Sequence, residues 1–275
     1  MVESTLPQVS PSSPSTSEKT LIVLEAALEH ARFSEVVAAT GLPKATVHRL
    51  ISTLVERRFV TIDPDGNYLP GPSILALAGR ALERIDISSI AQPFVDDLVD
   101  TIHCTVHMGA ISGDSVIYIL RKDSDKPYQM PSRVGLSVPL HTTGIGKAVL
   151  ATYEDETVER MLKRAGMVRL TDATITSVED FKRELEDVRR RGTARDRGEN
   201  VPGIACIAAP VHDHTGVVRY GLSISTLSIE HSDEQVEAMA GDLLATAAAI
   251  SKALGYRGPY PGPSSIPHSL LGATS

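Results

Sequence analysis

A short stretch near the N-terminus constrains the fold more strongly than any other part of the chain. Two runs of apolar residues at helical spacing, 33–40 and 43–58, are separated by a junction that contains Gly41. Glycine allows a sharp turn between helices, and proline suits a first helical position because its missing N–H would be unbonded there. The stretch therefore predicts two helices in a helix-turn-helix arrangement, the second of which begins near Pro43.

The second predicted helix has one face for packing and another for contact. Apolar residues recur at the spacing of one helix face: Val47, Leu50, Ile51 and Leu54. The other face carries short polar and basic side chains, and short side chains let a helix approach the base edges of DNA closely. An ordinary solvated surface helix has the same periodicity, so the interpretation depends on the order of the neighbouring elements.

A hairpin is predicted directly after this helix. Residues 59–62 and 67–69 have the composition of short strands, and between them the proline and glycine of Asp63-Pro64-Asp65-Gly66 favour a tight turn. A hairpin in this position is the wing of a winged helix-turn-helix. We predict DNA contacts from the second helix and from the start of the first, where Ser34 is a plausible N-cap. The predicted DNA-binding residues are Ser34, Lys44, Ala45, Thr46, His48, Arg49, Thr53 and Arg57.

The net charge of −7 over 275 residues at first argues against a nucleic-acid partner. The local charge differs, because residues 43–60 contain four basic residues and one acid: Lys44, Arg49, Arg57, Arg58 and Glu56. Affinity for phosphate groups depends on this local field. We therefore predict modest nonspecific DNA binding and strong reliance on base-specific contacts made by a dimer.

Cysteine usage and hydropathy indicate a cytoplasmic protein. Cys104 and Cys206 lie far apart and form no CxxC pair, so neither a disulfide framework nor a structural zinc site is expected. No apolar run reaches the ~18 residues needed to span a bilayer, and the N-terminus lacks a basic-then-apolar signal. We predict a soluble protein with no membrane partner.

The rest of the chain mixes strands and helices. Residues 105–111 and 115–120 form one predicted hairpin, and 206–211 and 217–225 form another. Helices are predicted at 73–85, 87–102, 156–165, 178–191 and 232–254. This order predicts an α+β sheet domain after the winged helix-turn-helix.

A nucleotide-binding loop is not expected, although residues 141–148 contain GIGK. A phosphate loop would need glycine where His141 stands and Ser or Thr where Ala148 stands. A dinucleotide fingerprint would need glycine where Val149 stands. The segment can still bind an anion. Gly144 and Gly146 would leave backbone N–H groups exposed at the start of a helix, where a carboxylate is favoured.

Metal binding and nucleophilic catalysis are also not expected. On one strand, His103 and His107 would point to one face and Cys104 to the other, which disrupts a three-ligand site. His212 and His214 lie in a polar turn, where solvated histidines are ordinary. The apolar neighbours of Cys206 indicate a buried, inert thiol. We predict no metal, no cofactor and no catalytic residue.

Several spaced motifs resemble those of the IclR family of transcriptional regulators. They lie at 44–50, 138–148, 191–199, 202–211 and 222–225, within a resemblance that extends from about Ser17 to Gly255. The resemblance implies an α+β protein with a winged helix-turn-helix DNA-binding domain, a linker helix and a C-terminal GAF/PAS-like effector-binding domain. We place these parts at 17–72, 73–86 and 87–255, between a disordered tail at 1–16 and a mobile tail at 256–275.

The resemblance also implies a pocket for a small organic acid. The residues it assigns to that pocket are Met130, Val138, Gly144, Ile145, Asp196, Ile204, Cys206, Ser223 and Ser225. Their chemistry agrees, because Ser223 and Ser225 face one side of a strand and offer two hydroxyls to a carboxylate. The amides near Gly144 and Ile145 offer further donors, and Asp196 would accept from a ligand hydroxyl.

The chain departs from the family pattern around Asp196. Thr193 replaces a commonly aromatic residue, and Arg195 and Arg197 flank Asp196. Two interpretations follow: an arginine beside the pocket favours a dianionic or aromatic acid, or the arginines pair structurally with Asp196 and Glu199.

These observations predict a cytoplasmic transcription factor that binds a palindromic operator in double-stranded DNA as a homodimer or homotetramer. A small organic acid in the second domain would control its operator affinity. Two alternatives stay open. One is a winged-helix scaffold that binds protein, which the net acidity favours, and the other is a small-acid enzyme that uses Cys206 or Asp196 with a histidine.

Overall fold

The computed structural model describes residues 14–82, 84–128 and 130–260. The chain forms two compact units, with the division between Ile85 and Asp86. The predicted fold class is confirmed: a winged helix-turn-helix is followed by a domain of mixed helices and strands. Among the described residues, no helix combines the length and apolar character needed to cross a membrane.

The described part of the N-terminal unit contains four helices and the two-stranded wing. Its elements are α1 (Thr16–Glu29), α2 (Phe33–Thr40), α3 (Lys44–Glu56), β1 (Val60–Ile62), β2 (Tyr68–Pro70) and α4 (Pro72–Leu82). The strands β1 and β2 pair antiparallel. The predicted apolar face of α3 is buried and packs with Val23 of α1 and Val36 of α2, so the helix-turn-helix has a core of its own.

Helix boundaries in this unit differ from the sequence predictions at three points. Ser15, placed in the N-terminal tail, caps α1 by accepting a hydrogen bond from the Glu18 N–H at 3.2 Å. Residues 1–13 of that tail lie outside the described residues. Ser34 is not the N-cap of α2, because Arg32 occupies that position and donates its N–H to the Glu35 carboxylate at 3.1 Å. Pro43 is the N-cap of α3 rather than its first residue.

The C-terminal unit is built around a six-stranded antiparallel sheet in the order β5-β4-β3-β8-β7-β6. The strands are β3 (Thr105–Ser112), β4 (Ser115–Lys122), β5 (Ser137–Pro139), β6 (Ala194–Arg197), β7 (Ile204–His212) and β8 (Val218–Leu227). The helices are α5 (Ile87–Ile102), α6 (Gly144–Leu150), α7 (Asp155–Ala165), α8 (Val178–Arg191), α9 (Asp233–Ala238) and α10 (Ala240–Ala253). The helix predicted over 232–254 is therefore divided at Met239, and the short edge strands β5 and β6 were not predicted.

The two faces of the sheet are covered differently. One face is apolar and packs against α5 and α10 through residues that include Met108, Ile207 and Ile224. The other face is covered at one end by α6, which approaches closely because Gly221 on β8 has no side chain. A Cβ there would lie 2.8 Å from the Ile145 side chain. The uncovered remainder of this face holds the cavity described below.

The segment after α10 packs on the end of β7. The Tyr256 ring stacks on His212 with 4.3 Å between ring centroids, and the Tyr260 hydroxyl donates to the Pro210 carbonyl. Residues 256–260, predicted as part of a mobile tail, are thus held against the domain. Residues 261–275 lie outside the described residues.

Close packing of α6 makes Gly146 intolerant of a side chain. A Cβ at this position would lie 2.0 Å from the Leu140 carbonyl oxygen, so Gly146→Ala is expected to lower the free energy of unfolding by about 1–3 kcal/mol. The matched control is Gly241→Ala in α10, where a Cβ would have nothing within 4 Å apart from its chain neighbours and the adjacent backbone of its own helix. This change is expected to raise stability by about 0.4–1 kcal/mol. Urea denaturation followed by circular dichroism measures both, and an unchanged midpoint for Gly146→Ala would contradict the packing.

Candidate nucleic-acid interface and candidate effector cavity

Helix α3 carries six of the eight predicted DNA-binding residues, and its C-cap, Arg57, is a seventh. Thr46 is half-buried, and the other side chains of this set are exposed: Lys44, Ala45, His48, Arg49, Thr53 and Arg57. The eighth residue, Ser34, is exposed on α2. The ring contact between Phe33 and His48, at 6.1 Å between centroids, places the start of α2 beside the middle of α3. The predicted residues thus belong to one surface.

The N-terminus of α3 favours anions. Pro43 supplies no side-chain acceptor to the first turn, and no acidic residue lies there. The positive end of the helix dipole is therefore not neutralised by a carboxylate, and Lys44 adds a formal charge. Such a terminus binds phosphate groups readily.

The wing tip has the opposite charge. Asp63 accepts hydrogen bonds from the Asp65 N–H at 2.9 Å, the Asn67 N–H at 2.8 Å and the Asn67 side chain at 3.0 Å. The Asn67 hydrogen bonds hold the pKa of Asp63 below its ordinary value, so this carboxylate stays ionised. Asp65 is exposed beside it. Of these two elements, α3 therefore offers positive charge to phosphate groups and the tip of the wing does not.

A small, partly open cavity of about 40 Å³ lies at the uncovered end of the sheet in the C-terminal unit. Six of the nine predicted effector residues line it: Met130, Val138, Asp196, Ile204, Cys206 and Ser225. Lining residues that sequence analysis did not predict are His107, Tyr118, Pro131, Ser132, Leu136, Asn200 and Val201. Among these, His107 lies on β3 opposite Ser223, so strand alternation places it on the same face as the predicted serines.

The other three predicted effector residues, Gly144, Ile145 and Ser223, are not in the cavity wall. A Cβ at Gly144 would lie 3.0 Å from the Ala208 Cβ, and the Ile145 side chain packs on the glycines of the sheet. Ser223 is buried, and its partners on the two neighbouring strands are Ala208 on β7 and His107 on β3. The N–H of Gly146, predicted to be open to a carboxylate, donates to the Thr143 hydroxyl at 3.1 Å. The start of α6 therefore serves packing on the sheet.

Asp196 is the acidic group of the cavity. It is 3% exposed, and its Oδ1 accepts the N–H of Glu199 at 2.7 Å and that of Asn200 at 3.4 Å. Burial raises the pKa of Asp196 to about 7, and the nearby Glu199 charge contributes in the same direction against Lys147. The carboxyl can therefore donate or accept a hydrogen bond near neutral pH.

Neither arginine beside Asp196 has the role considered from sequence. Arg195 is buried on the other side of β6, where it donates to Asp233 Oδ1 at 2.7 Å and Glu237 Oε2 at 3.1 Å. Arg197 Nε lies 3.8 Å from Asp233. Both interpretations, an arginine in the pocket and arginines paired with Asp196 and Glu199, are wrong because alternation along β6 points Arg195 and Arg197 away from the Asp196 side.

The cation that pairs with Glu199 is Lys147, and not one of the two arginines. Its side chain is fully buried and donates to the Glu199 carboxylate and, at 2.9 Å, to the Arg195 carbonyl. The Thr174 hydroxyl donates to the Glu199 carbonyl at 2.8 Å. These bonds fix the turn after β6, which contributes Asn200 to the cavity wall.

His107 is a neutral member of the wall. Its Nε2 lies 2.8 Å from the Ser132 hydroxyl, its Nδ1 lies 3.2 Å from the Ser225 hydroxyl, and its ring lies 4.7 Å from that of Tyr118. Burial lowers the pKa of His107 to about 4, and Arg121 contributes. Since the described lining residues include neither lysine nor arginine, neutral donors would have to hold an anion here.

The structure also shows the surroundings of residues that the sequence analysis considered for metal binding and for nucleophilic catalysis. His103 is the C-cap of α5, with φ 52°, and does not continue β3 as the sequence analysis assumed. No group of three or more His, Cys, Asp and Glu residues in the described parts of the chain is arranged to hold a metal ion. Burial raises the pKa of Cys206, and its thiol donates to the Ser225 hydroxyl at 3.2 Å.

Each of the two units matches a model of a known protein family. The family model described as IclR helix-turn-helix domain matches residues 19–64, and that described as Bacterial transcriptional regulator IclR C-terminal matches residues 79–252. The HTH-type transcriptional regulator KdgR of Escherichia coli (strain K12) is 34% identical over 216 residues, which are 78% of this chain and 82% of that protein.

Solved structures match over nearly their whole length. The Thermotoga maritima IclR structure aligns with a TM-score of 0.60 and 30% identity, covering 88% of this chain and 99% of that one. The Agrobacterium tumefaciens repressor BlcR aligns with a TM-score of 0.71 and 26% identity, covering 88% and 97%.

The buried Lys147–Glu199 pair gives a test of the cavity wall. Lys147→Ala leaves the Glu199 carboxylate buried without its cation, so the free energy of unfolding should fall by about 3–5 kcal/mol. The control is Lys163→Ala, which removes an exposed lysine from its contact with Glu159 and should change stability little. Chemical denaturation compares the two, and equal small effects would show that the buried pair does not hold the turn.

Proposed function

We propose that this chain, which belongs to the IclR family of bacterial transcriptional regulators, binds a palindromic operator through the outer face of α3 and is controlled by a small organic acid in the C-terminal cavity. The observation that carries the proposal is one exposed basic surface on α3 in a winged helix-turn-helix. The family supports transcriptional regulation through a DNA-binding helix-turn-helix. The operator symmetry and the effector are our own inferences.

A homo-oligomer is supported by apolar side chains on α4, none of whose residues is buried. Leu75 is 66% exposed, Leu77 45% and Leu82 49%, and Leu21 on α1 is 60% exposed. Exposed apolar side chains in this number are typical of a surface that a partner covers. We propose that a second copy of the chain covers them, forming a dimer or, by pairing of dimers, a tetramer. A dimer would present two α3 helices to the two halves of an operator.

The cavity supports binding rather than turnover. The Cys206 thiol is a hydrogen-bond donor whose pKa is raised, so it is a poor nucleophile. His107 is engaged by two serine hydroxyls and not by a carboxylate that would activate it as a base. We propose a cytoplasmic, non-catalytic protein in which the bound acid changes DNA affinity by favouring one of two conformations.

Arg49→Ala provides a test of the DNA surface. The operator is first obtained by selecting genomic fragments with the purified protein, with and without a panel of small carboxylic acids. The variant is expected to bind this operator about ten- to a hundredfold more weakly, because a base contact is lost from an exposed position. The control Arg183→Ala removes an exposed arginine from α8 and should retain affinity.

Two results of this experiment would oppose the proposal. Unchanged operator affinity of Arg49→Ala would remove Arg49 from the interface. Failure to enrich any fragment at low salt would favour the protein-interaction scaffold instead.

The effector proposal predicts a pH dependence. Two carboxylates in one desolvated cavity repel each other, so a carboxylate ligand should bind the form in which Asp196 is protonated. With the pKa of Asp196 near 7, affinity should be constant at lower pH and fall as the pH rises above this value. Isothermal titration with the acid found in the selection measures the profile. Asp196→Asn should flatten it, and an unchanged profile in that variant would exclude Asp196 as the titrating group.

A further inference from the structure

The cavity is smaller than the effector proposed for it. Its volume of about 40 Å³ holds about three water molecules, and even a short carboxylic acid is larger than that. A ligand can therefore enter only if part of the wall moves. The parts of the wall differ in how firmly the backbone holds them, and this difference points to the part that moves.

Most of the wall is held firmly. Every strand of the six-stranded sheet contributes at least one side chain to it, and backbone hydrogen bonds join each strand to a neighbour. The turn that contributes Asn200 is held by the Lys147–Glu199 pair and by the Thr142 hydroxyl, which donates to Asn200 Oδ1 at 3.1 Å. Movement of these parts would break several hydrogen bonds at once.

The rest of the wall lies between β4 and β5, in chain without regular secondary structure, and includes Met130, Pro131 and Ser132. Residues 130–134 are referred to below as the flap. Directly after the flap, the chain is anchored to β4. The Gly135 N–H donates to the Tyr118 carbonyl at 2.8 Å, and the Tyr118 N–H donates to the Leu136 carbonyl at 3.1 Å.

The chain before the flap is anchored to a different strand. The Lys126 ammonium and the Tyr128 hydroxyl both donate to Glu230 Oε2, at 2.6 Å and 2.9 Å. Glu230 follows the end of β8. The flap is thus bounded by fixed chain on both sides, so it can move as a short unit while its two ends stay in place.

Two side chains hold the flap closed, and both bind the same residue. The Arg121 guanidinium donates to the Ser132 carbonyl and is oriented by Asp123, whose Oδ1 lies 2.9 Å from Nε. His107 Nε2 lies 2.8 Å from the Ser132 hydroxyl. The arginine contact is the stronger of the two, because a hydrogen bond from a charged donor outweighs one between neutral groups.

From this arrangement we infer that the flap must open to admit a ligand and that Arg121 is the latch that keeps it closed. Arg121 does not line the cavity, so it is a positioning residue. The inference rests on the proposed function, because the flap controls access to the same cavity. The apparent affinity for an effector is then lowered by the fraction of molecules in which the flap is closed.

Alkylation of Cys206 by N-ethylmaleimide measures the opening without DNA or an acid. The thiol lies in the cavity wall and the reagent is larger than the cavity, so the reaction requires an open flap. The chain contains two cysteines, and mass spectrometry of peptides from the full-length protein follows each one separately. The charges that act on the pKa of Cys206 are those of Asp196 and Arg195, so loss of Arg121 leaves its thiolate fraction in the closed form unchanged.

The expected rates are graded. Cys206 in Arg121→Ala should react about ten- to a hundredfold faster than in the wild-type chain, because a charged hydrogen bond is lost. In Ser132→Ala, which loses only the neutral contact with His107, the increase should be about two- to tenfold. The matched control is Arg133→Ala, which removes an exposed arginine from the flap itself and should react as wild type.

Two further readouts distinguish opening of the flap from general loosening. Cys104 is fully buried in the apolar core on the other face of the sheet, so its alkylation should stay as slow as in the wild-type chain. Hydrogen exchange, resolved to single residues by mass spectrometry, should show unchanged protection of the Gly135 and Tyr118 N–H groups in every variant, because the anchor on β4 stays paired.

Equal alkylation of Cys206 in the wild-type chain and in Arg121→Ala would overturn the latch, and so would an equal acceleration in Arg133→Ala. A parallel rise at Cys104, or lost protection at Gly135, would show that the domain loosens as a whole and would overturn the flap. Failure of the proposed function looks different, since operator binding would then be absent or indifferent to every acid while the alkylation rates kept their order.

Discussion

The buried ammonium group of Lys147 connects the parts from which the cavity is made. Its bonds to Glu199 and to the Arg195 carbonyl join α6 to the edge strand β6 and to the turn that follows it. Because that turn donates two backbone N–H groups to Asp196, the position and the protonation of this carboxyl depend on a residue that does not line the cavity. A buried ion pair of this kind contributes little net stability but is costly to break, so it enforces one arrangement of the wall.

Features encoded by local sequence were predictable. The helix-turn-helix, the wing turn and the helices at 87–102 and 178–191 follow from apolar spacing, glycine, proline and capping residues, all within a few positions of each other. The hairpins of the sheet were recognised for the same reason. By contrast, β5 and β6 have three and four residues, too few to show an alternation. The division of the last helix at Met239 has no proline to mark it, and Gly241, two residues later, lies inside α10.

The cavity was predictable only in part, because its wall depends on pairing between strands that are distant in sequence. His107 enters it through the register of β3 on β8, more than a hundred residues later, and Ser132 through a segment without regular structure. Gly144 and Ile145 were assigned to the ligand by resemblance, yet α6 uses them for packing on the sheet. Alternation along β6 would have separated Arg195 from Asp196, had that strand been recognised.

The acidic wing tip has a consequence for how the protein is distributed within a cell. A regulator meets a large excess of nonspecific DNA, and the time it spends there is set chiefly by the number of phosphates it neutralises. With Asp63 and Asp65 at the wing tip, the wing adds repulsion instead of a phosphate contact, in a chain whose net charge is −7. If the chain binds DNA as proposed, nonspecific residence would thereby be shortened, and a larger share of the molecules would remain free in solution, able to exchange the proposed effector before they reach an operator.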